Sequence, residues 1–355
     1  MKKRVLMCVI GLFAALSLTG CNELKDSDVV VTVGETEITA DLANFYARYM
    51  QAQYETFYGA YLGEDMWDSE AEKGKTYEEF VKDSALKDLE DMVLLEKHMK
   101  DYEIELTEKE QEVIKESAKT FGEDNSLEQK NKVSGSEKVV ERVMTLMAIR
   151  DKMHDAIAEK ADKKVSEEEM NQKKMQYVLF SYTKKDKEEN ETDLSEEEKK
   201  DVKKSAEDFA KSAKTESDFG KLAKQNSVEV QTATFDAETT IPDESLVAAA
   251  DKLKKNGVTG VVETEDGCYV AKVVSLKDKK ASEAKKKEII SERKEKLYED
   301  TCKGWRKEAG VKVNKSVWKK VDFNDLGVTM KQEQEVPYAD DIKTDDQAEA
   351  EENAQ

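Results

Sequence analysis

The apolar positions change their spacing several times along the chain, and each change marks an element. Val29-Val30-Val31-Thr32-Val33, then Gly34, then Glu35-Thr36-Glu37-Ile38 predict a short strand, a turn and a returning strand. Thr39 suits an N-cap. Leu42, Phe45, Tyr46, Tyr49, Tyr54, Phe57 and Tyr61 follow at three-to-four spacing and predict a long helix. This aromatic row is either a core stripe or a binding surface. A second helix is expected from Thr76 to Asp101, with Phe80, Leu86, Leu89, Val93 and Met99 on one stripe. Thr107 and Glu110 form a capping box for a third. A break spans Gly122 to Ser136, and Val139, Val140, Val143, Met144 and Met147 mark a fourth helix. Ser166 and Glu169 form another capping box.

From Met175 the period shortens. Gln176 to Tyr182 reads as a strand with Tyr177, Leu179 and Ser181 on one face and Val178, Phe180 and Tyr182 on the other. Lys184 to Lys200 is a charged insert, expected as a solvated loop or helix extension. A helix over Val202–Ala213 follows, and Ser217 is a plausible cap for the next. Glu229 to Phe235 alternates like a strand. Ile241-Pro242-Asp243 opens a helix bearing Leu246, Val247, Ala250 and Leu253. The runs Val258–Thr264 and Cys268–Val274 flank Glu265-Asp266-Gly267, and Asp-Gly in that place predicts a hairpin. Ala281 to Ala309 is a long charged helix with Ile289, Ile290, Leu297, Cys302 and Trp305 inward, and Val311-Lys312-Val313 a short strand. The class expected is α+β. From Lys331 to Gln355 nine acids stand against two lysines with few apolar residues, the composition of a disordered tail. Its acid clusters lack EF-hand spacing.

Charge narrows the function. Charged residues are 39% of the chain and the formal net charge is −21. Nucleic acid is not an expected partner, because a basic face supplies most of that affinity. No Cys/His spacing suggests zinc, and two histidines, His98 and His154, exclude a three-histidine site. No metal and no cofactor is expected. Cys268 and Cys302 are either two isolated small apolar residues or one disulfide.

Lys2, Lys3 and Arg4 precede an almost wholly apolar run, Val5 to Leu18, which is shorter than the about 20 residues a spanning helix needs. Leu18-Thr19-Gly20-Cys21 resembles a bacterial lipoprotein cleavage site. That implies a signal peptide over 1–20, a diacylglyceryl group on Cys21, a tether over 21–28 and a body held at the cell membrane on its extracytoplasmic face. Removing residues 1–20, with three positive charges and no acids, takes the net charge from −21 to −24. Docking on anionic lipid by charge is therefore not expected, and the acyl chains have to anchor the protein.

Three segments of the central region resemble the parvulin class of peptidyl-prolyl isomerases. They are Asp218-Phe219-Gly220-Lys221-Leu222-Ala223-Lys224, Ile241-Pro242, and Asp266-Gly267-Cys268-Tyr269-Val270-Ala271-Lys272-Val273. Val31-Thr32-Val33-Gly34-Glu35-Thr36-Glu37-Ile38-Thr39 is similar to the opening of the SurA and PrsA chaperones. Together with the lipoprotein-like start, the order resembles the PrsA/SurA-type foldase lipoproteins. The resemblance implies a mostly helical chaperone domain over 29–165, a parvulin-like domain over 166–280 with a small antiparallel sheet flanked by helices, and a return of 281–330 to the first domain.

The family's two catalytic histidines align with Tyr177 and Tyr269, and neither His98 nor His154 lies in that region. The loop before Phe235 also looks shortened. No catalytic residue is carried over. The resemblance offers Tyr177, Leu179, Phe235, Ile241 and Tyr269, with Tyr49 and Phe57 upstream, as peptide-binding candidates. Unfolded exported proteins are the implied partners, and a homodimer stays open. Three functions compete: a membrane-anchored chaperone or foldase, an active prolyl isomerase with a tyrosine-substituted site, and a structural or assembly lipoprotein with one surface partner. A solute-binding lipoprotein would need two lobes of alternating strands and helices.

Overall fold

The computed structural model describes residues 24–63, 65–185 and 191–330. Cys21 with the apolar run before it, and residues 331–355 with the tail expected there, lie outside them. In chain order the elements are β1 (Val29–Val33), β2 (Thr36–Thr39), α1 (Ala40–Leu62), β3 (Glu70–Glu72), β4 (Lys75–Thr76), α2 (Tyr77–Lys97), α3 (Glu108–Asp124), α4 (Leu127–Lys132) and α5 (Glu137–Ala158). Then come α6 (Glu167–Met170), β5 (Lys173–Ser181), β6 (Thr183–Lys185), β7 (Glu191–Asp193), α7 (Glu196–Ala213), α8 (Phe219–Gln225), β8 (Gln231–Phe235), α9 (Glu244–Asp251), β9 (Val262–Glu263), β10 (Gly267–Ser275), α10 (Lys279–Ala309), β11 (Val311–Val313) and α11 (Lys315–Trp318). The class is α+β. Two compact units divide the chain, unit 1 up to Lys160 and from Lys296 on, unit 2 from Ala161 to Glu295.

In unit 1, β1 lies between β2 and β11, with Val31 opposite Val313 and Ile38. Flanked on both edges, its valines at 30 and 31 are fully buried. α1, α2, α3 and α5 enclose the larger core, where Phe45 meets Phe121 edge to face at 5.4 Å. Thr39 is the α1 N-cap residue, yet its hydroxyl donates to Asp41 Oδ1 at 2.5 Å. The carboxylate, a stronger acceptor, takes the Leu42 N–H instead. α2 ends at Lys97, short of the expected Asp101, because a 3-10 turn over Met99–Tyr102 and a left-handed Glu103 (φ 56) close it.

After α11 the segment Val321–Met330 forms no helix or strand but is strapped along α1. Val321, Phe323, Leu326 and Val328 are buried. Arg48 donates to the Asp322 carbonyl at 3.0 Å, and Gln51 Nε2 lies 2.9 and 2.7 Å from the carbonyls of Phe323 and Leu326. Glu55 accepts from Val328 N–H at 2.7 Å and from the Trp67 indole at 3.0 Å. Thr56 accepts from Met330 N–H at 2.9 Å. These α1 side chains satisfy a backbone that has no ladder of its own.

Unit 2 is built on an antiparallel sheet in the order β8-β5-β10-β9. Val178, Phe180, Tyr182, Cys268 and Val270 face α7 and α8, while Met175, Tyr177, Tyr269, Ala271 and Val273 face α9. The charged insert holds more structure than expected: β6 and β7 pair, and α7 begins at Glu196 behind a Ser195/Glu198 capping box. The cap of α8 is Asp218 rather than Ser217, its carboxylate accepting the Lys221 N–H at 2.9 Å. The expected hairpin is short on one side. β9 has two residues, and the rest of its run touches β10 through a Val258–Lys272 bridge and Thr259, whose hydroxyl accepts the Ala271 N–H. Gly267 opens β10 at φ +146, where a Cβ would fall 2.2 Å from the Phe180 carbonyl oxygen. Only glycine fits there.

Candidate functional site

The central strands of unit 2 bring the two singled-out tyrosines together. β5 and β10 pair with Tyr177 opposite Ala271 and Tyr269 opposite Leu179, so the tyrosines are diagonal neighbours on one face. Their ring centroids stand 6.0 Å apart with planes tilted by 53°. Leu246, Val247 and Ala250 of α9 close over this face, and Phe235 of β8 joins them. Both tyrosines are nearly covered, at 8% and 5% exposure.

The hydroxyls differ. Tyr177 donates to Gln231 Oε1 at 2.5 Å, because β8 lies against β5 with Gln231 opposite Tyr177. Tyr269 has no hydrogen-bond partner among the described residues. Burial raises both phenols above their ordinary value, and for Tyr269 the nearby Asp266 and Tyr177 add to the rise. Both therefore stay neutral near pH 7. They can donate hydrogen bonds and line an apolar surface, but neither is a base or a nucleophile there.

A second polar cluster sits on the opposite face of the sheet. The Tyr182 hydroxyl donates to Glu263 at 2.7 Å and lies 3.3 Å from Cys268 Sγ; Lys203 pairs with Glu263 at 2.5 Å. Burial raises the Cys268 thiol, so it is held as a thiol rather than a reactive thiolate. Cys268 and Cys302 are both free and buried.

The other sequence candidates fall in different surroundings. Leu179 is half-buried beside the tyrosine pair. Phe235 is fully buried and packs inside unit 2. Ile241 is 76% exposed before a cis Ile241–Pro242 bond. Tyr49 is buried in the unit 1 core, stacked on Tyr46, whereas Phe57 is 71% exposed. The aromatic row of α1 is therefore core stripe in its first half and open surface in its last turns. His98 stacks on Trp305 at 4.1 Å, and His154 meets Tyr298 edge to face at 4.7 Å. Among the described residues there is no cluster of three metal-ligating side chains, and no helix is long and apolar enough to cross a membrane. Sequence reasoning missed Gln231. Its signal was the alternation Gln231, Ala233, Phe235, which puts the amide on the tyrosine face.

Residues 168–286 match the family model of the PPIC-type PPIase domain. Unit 2 thus contains a domain that matches the parvulin-type (PPIC) family. Among solved structures the chain is similar to the foldase protein PrsA of Streptococcus pneumoniae, at 19% identity, covering 72% of this chain and 98% of that one with a TM-score of 0.28. It is also similar to the peptidylprolyl isomerase PrsA of Bacillus cereus, at 16% identity over 84% and 100% of the two chains, TM-score 0.30. A SurA-like chaperone of Campylobacter jejuni is matched at 12% identity over 80% and 98%, TM-score 0.28. The comparison with curated proteins finds no match.

Proposed function

We propose that this protein is an extracytoplasmic chaperone or foldase for exported polypeptides, anchored by a lipid on Cys21, whose parvulin-type domain binds peptide without substantial isomerase activity. The observation that carries this reading is the tyrosine pair. An isomerase must hold the twisted amide better than either planar form, against a barrier of roughly 18–20 kcal/mol. It needs an open proline pocket and donors aimed at the twisted state. Here Tyr177 spends its hydroxyl on Gln231 and both rings are packed under α9. A neutral, mostly covered pair suits holding a side chain more than remaking a bond. The domain arrangement of the earlier resemblance supports client binding by the helical unit, and Phe57 and Ile241 are its exposed apolar candidates.

Exchange NMR on a proline peptide mixed with the full chain tests the catalytic half. Cis–trans exchange is expected at the uncatalysed rate while an unfolded secreted protein is kept from aggregating. Clear acceleration of exchange overturns the binding-only reading, and failure to slow aggregation overturns the chaperone. One observation favours a second reading: the unpartnered Tyr269 hydroxyl is a donor free to meet an amide. If catalysis is found, its loss in Tyr269→Phe assigns it to that hydroxyl.

A further inference from the structure

The four-stranded sheet of unit 2 ends in an open strand. β8 pairs with β5 along one edge, from Lys173 opposite Phe235 to Tyr177 opposite Gln231, without a bulge. It is the end strand of the order β8-β5-β10-β9. Among the described residues, only β5 hydrogen-bonds to the backbone of residues 231–235. Gln231, Thr232 and Thr234 are exposed. Such an edge offers a row of N–H and C=O groups to any extended chain, and proteins usually blunt it with charge, proline or a bulge. This chain does so elsewhere. Among the described strands every other end strand carries charge, with Glu37 in β2, Lys312 in β11, Glu263 in β9, and charged residues in β3, β4, β6 and β7. β8 has no charge, no proline and no bulge. The uncharged run covers residues 230–235 in a chain that is 39% charged.

We infer that β8 takes up an extended segment of another polypeptide as a fifth strand, one that is uncharged along the strand and basic at both ends. This names a binding mode for the peptide-binding reading above and rests on it. Main-chain pairing along the edge supplies affinity for many sequences. Alternate side chains of the added strand lie beside Thr232 and Thr234 on one face and beside Gln231 and Ala233 on the other, which suits β-branched residues. The Tyr177 hydroxyl holds Gln231 at 2.5 Å and so fixes the edge to the middle of the sheet. The ends of the run select charge. Glu229 and Asp236 bracket it and Glu238 follows. Asp236 accepts from Gln172 Nε2 and from the Thr239 hydroxyl, while Glu229 is exposed and has no partner among the described residues. A lysine or arginine at each end of the segment meets these acids whichever way it runs. A second copy of this chain fits worse. Antiparallel pairing of two such runs over their full length sets Glu229 of each copy opposite Asp236 of the other, and like charges directly opposite destabilise a sheet. The formal net charge of −21 repels the copies further.

Hydrogen exchange on the full chain reads the edge directly. The probe is a synthetic peptide of alternating threonine and valine between paired lysines. It is expected to slow exchange within β8. The same peptide N-methylated along its strand keeps charge and side chains but has no N–H to give, and it should leave β8 unprotected. The double variant Thr232→Lys/Thr234→Lys changes two exposed positions and is expected to weaken peptide binding about tenfold in fluorescence anisotropy. Unchanged exchange in β5 and β10 shows that its sheet is intact. Equal binding of the plain and methylated peptides, binding kept in the double variant, or protection of α9 without β8 overturns the inference. So does β8 protection that rises with protein concentration in the absence of peptide, which assigns the edge to a second copy. Aggregation of an unfolded secreted protein is followed separately. If the wild-type chain slows it while β8 stays unprotected by peptide, strand addition alone is overturned; if neither effect appears, the chaperone reading falls with it.

Discussion

Unit 1 and unit 2 are both rich in acids, yet they treat a carboxylate in opposite ways. In unit 1, Glu55, Asp88, Glu90 and Asp91 are all pushed up, each chiefly by burial. Asp91 rises to about 6 although Arg306 Nε lies 3.0 Å from it, a contact close enough for charge but not aligned as a hydrogen bond. In unit 2, Glu167, Glu169, Glu198, Glu216, Glu263 and Asp278 are all pulled down, because each reaches solvent at least in part and is met by a lysine or by backbone N–H groups. Glu110, capping α3 and held by Lys152, is the exception in unit 1. Acid count alone therefore says little about response to acid. What decides is whether apolar side chains or donors surround the oxygen.

The comparison breaks most sharply at Arg306. Replacing it with methionine leaves Asp91 buried with its main cation gone. Near neutral pH this is expected to destabilise unit 1 by about 3 kcal/mol. At pH 4 most of that loss should vanish, since Asp91 is then protonated in the folded state. Hydrogen exchange along α2, read at both pH values, reports it without needing separate unfolding transitions. An equal loss at both would mean Arg306 acts through packing alone.

Asp91→Asn tests the sign. A carboxyl whose folded value lies above its unfolded value favours the folded state most below pH 3.8, and that contribution is lost as pH rises through about 6. Unit 1 should thus weaken across that window, with Asp91 supplying at most about 3 kcal/mol of the change. In Asp91→Asn the α2 exchange profile should be flatter there. An unchanged slope would place the titration on Asp88 or Glu90 instead.

Periodicity made much of this fold legible and little of its electrostatics. The capping boxes at Thr107 and Ser166 are local, three residues apart, and both are present. The face split of Tyr177 against Val178 also follows from a period of two. The Asp218 cap was misplaced by one residue because Ser217 and Asp218 are both good caps and only the backbone chooses. β6 and β7 were hidden by their charge, since an exposed two-strand ribbon has no apolar face to show. The Gln51 and Glu55 grip on the strap joins residues more than 270 positions apart, which no local pattern carries. Tyr177 beside Tyr269 was visible only through the resemblance to a family whose strands are already paired.

Within unit 2 the tyrosine pair offers a smaller contrast. Tyr177→Phe removes the bond to Gln231 and is expected to destabilise the unit by about 1 kcal/mol in urea unfolding. Tyr269→Phe breaks no hydrogen bond among the described residues and should fall below that. The reverse order would mean that Tyr269 has the stronger partner.

The smallest effect belongs to Glu198, and it tests unit 2's half of the contrast. Its side chain is half-exposed, and the carboxylate is drawn down to about 2 by Lys184, then by the Ser195 hydroxyl and N–H. A lowered carboxylate contributes stability that is present above its unfolded value of 4.5 and is lost as pH falls through about 2. Glu198→Gln keeps an acceptor for the Ser195 N–H and keeps Ser195 as cap of α7, so it removes charge and little else. Near neutral pH the first turn of α7 should exchange faster in the variant, by less than either tyrosine change produces. Added salt should narrow the gap, because water and ions screen an exposed pair. The gap should also close as pH falls from 4.5 toward 2. A difference that survives both salt and acid would belong to the geometry of the cap, and unit 2's lowered carboxylates would then owe their state to helix N–H groups more than to lysines.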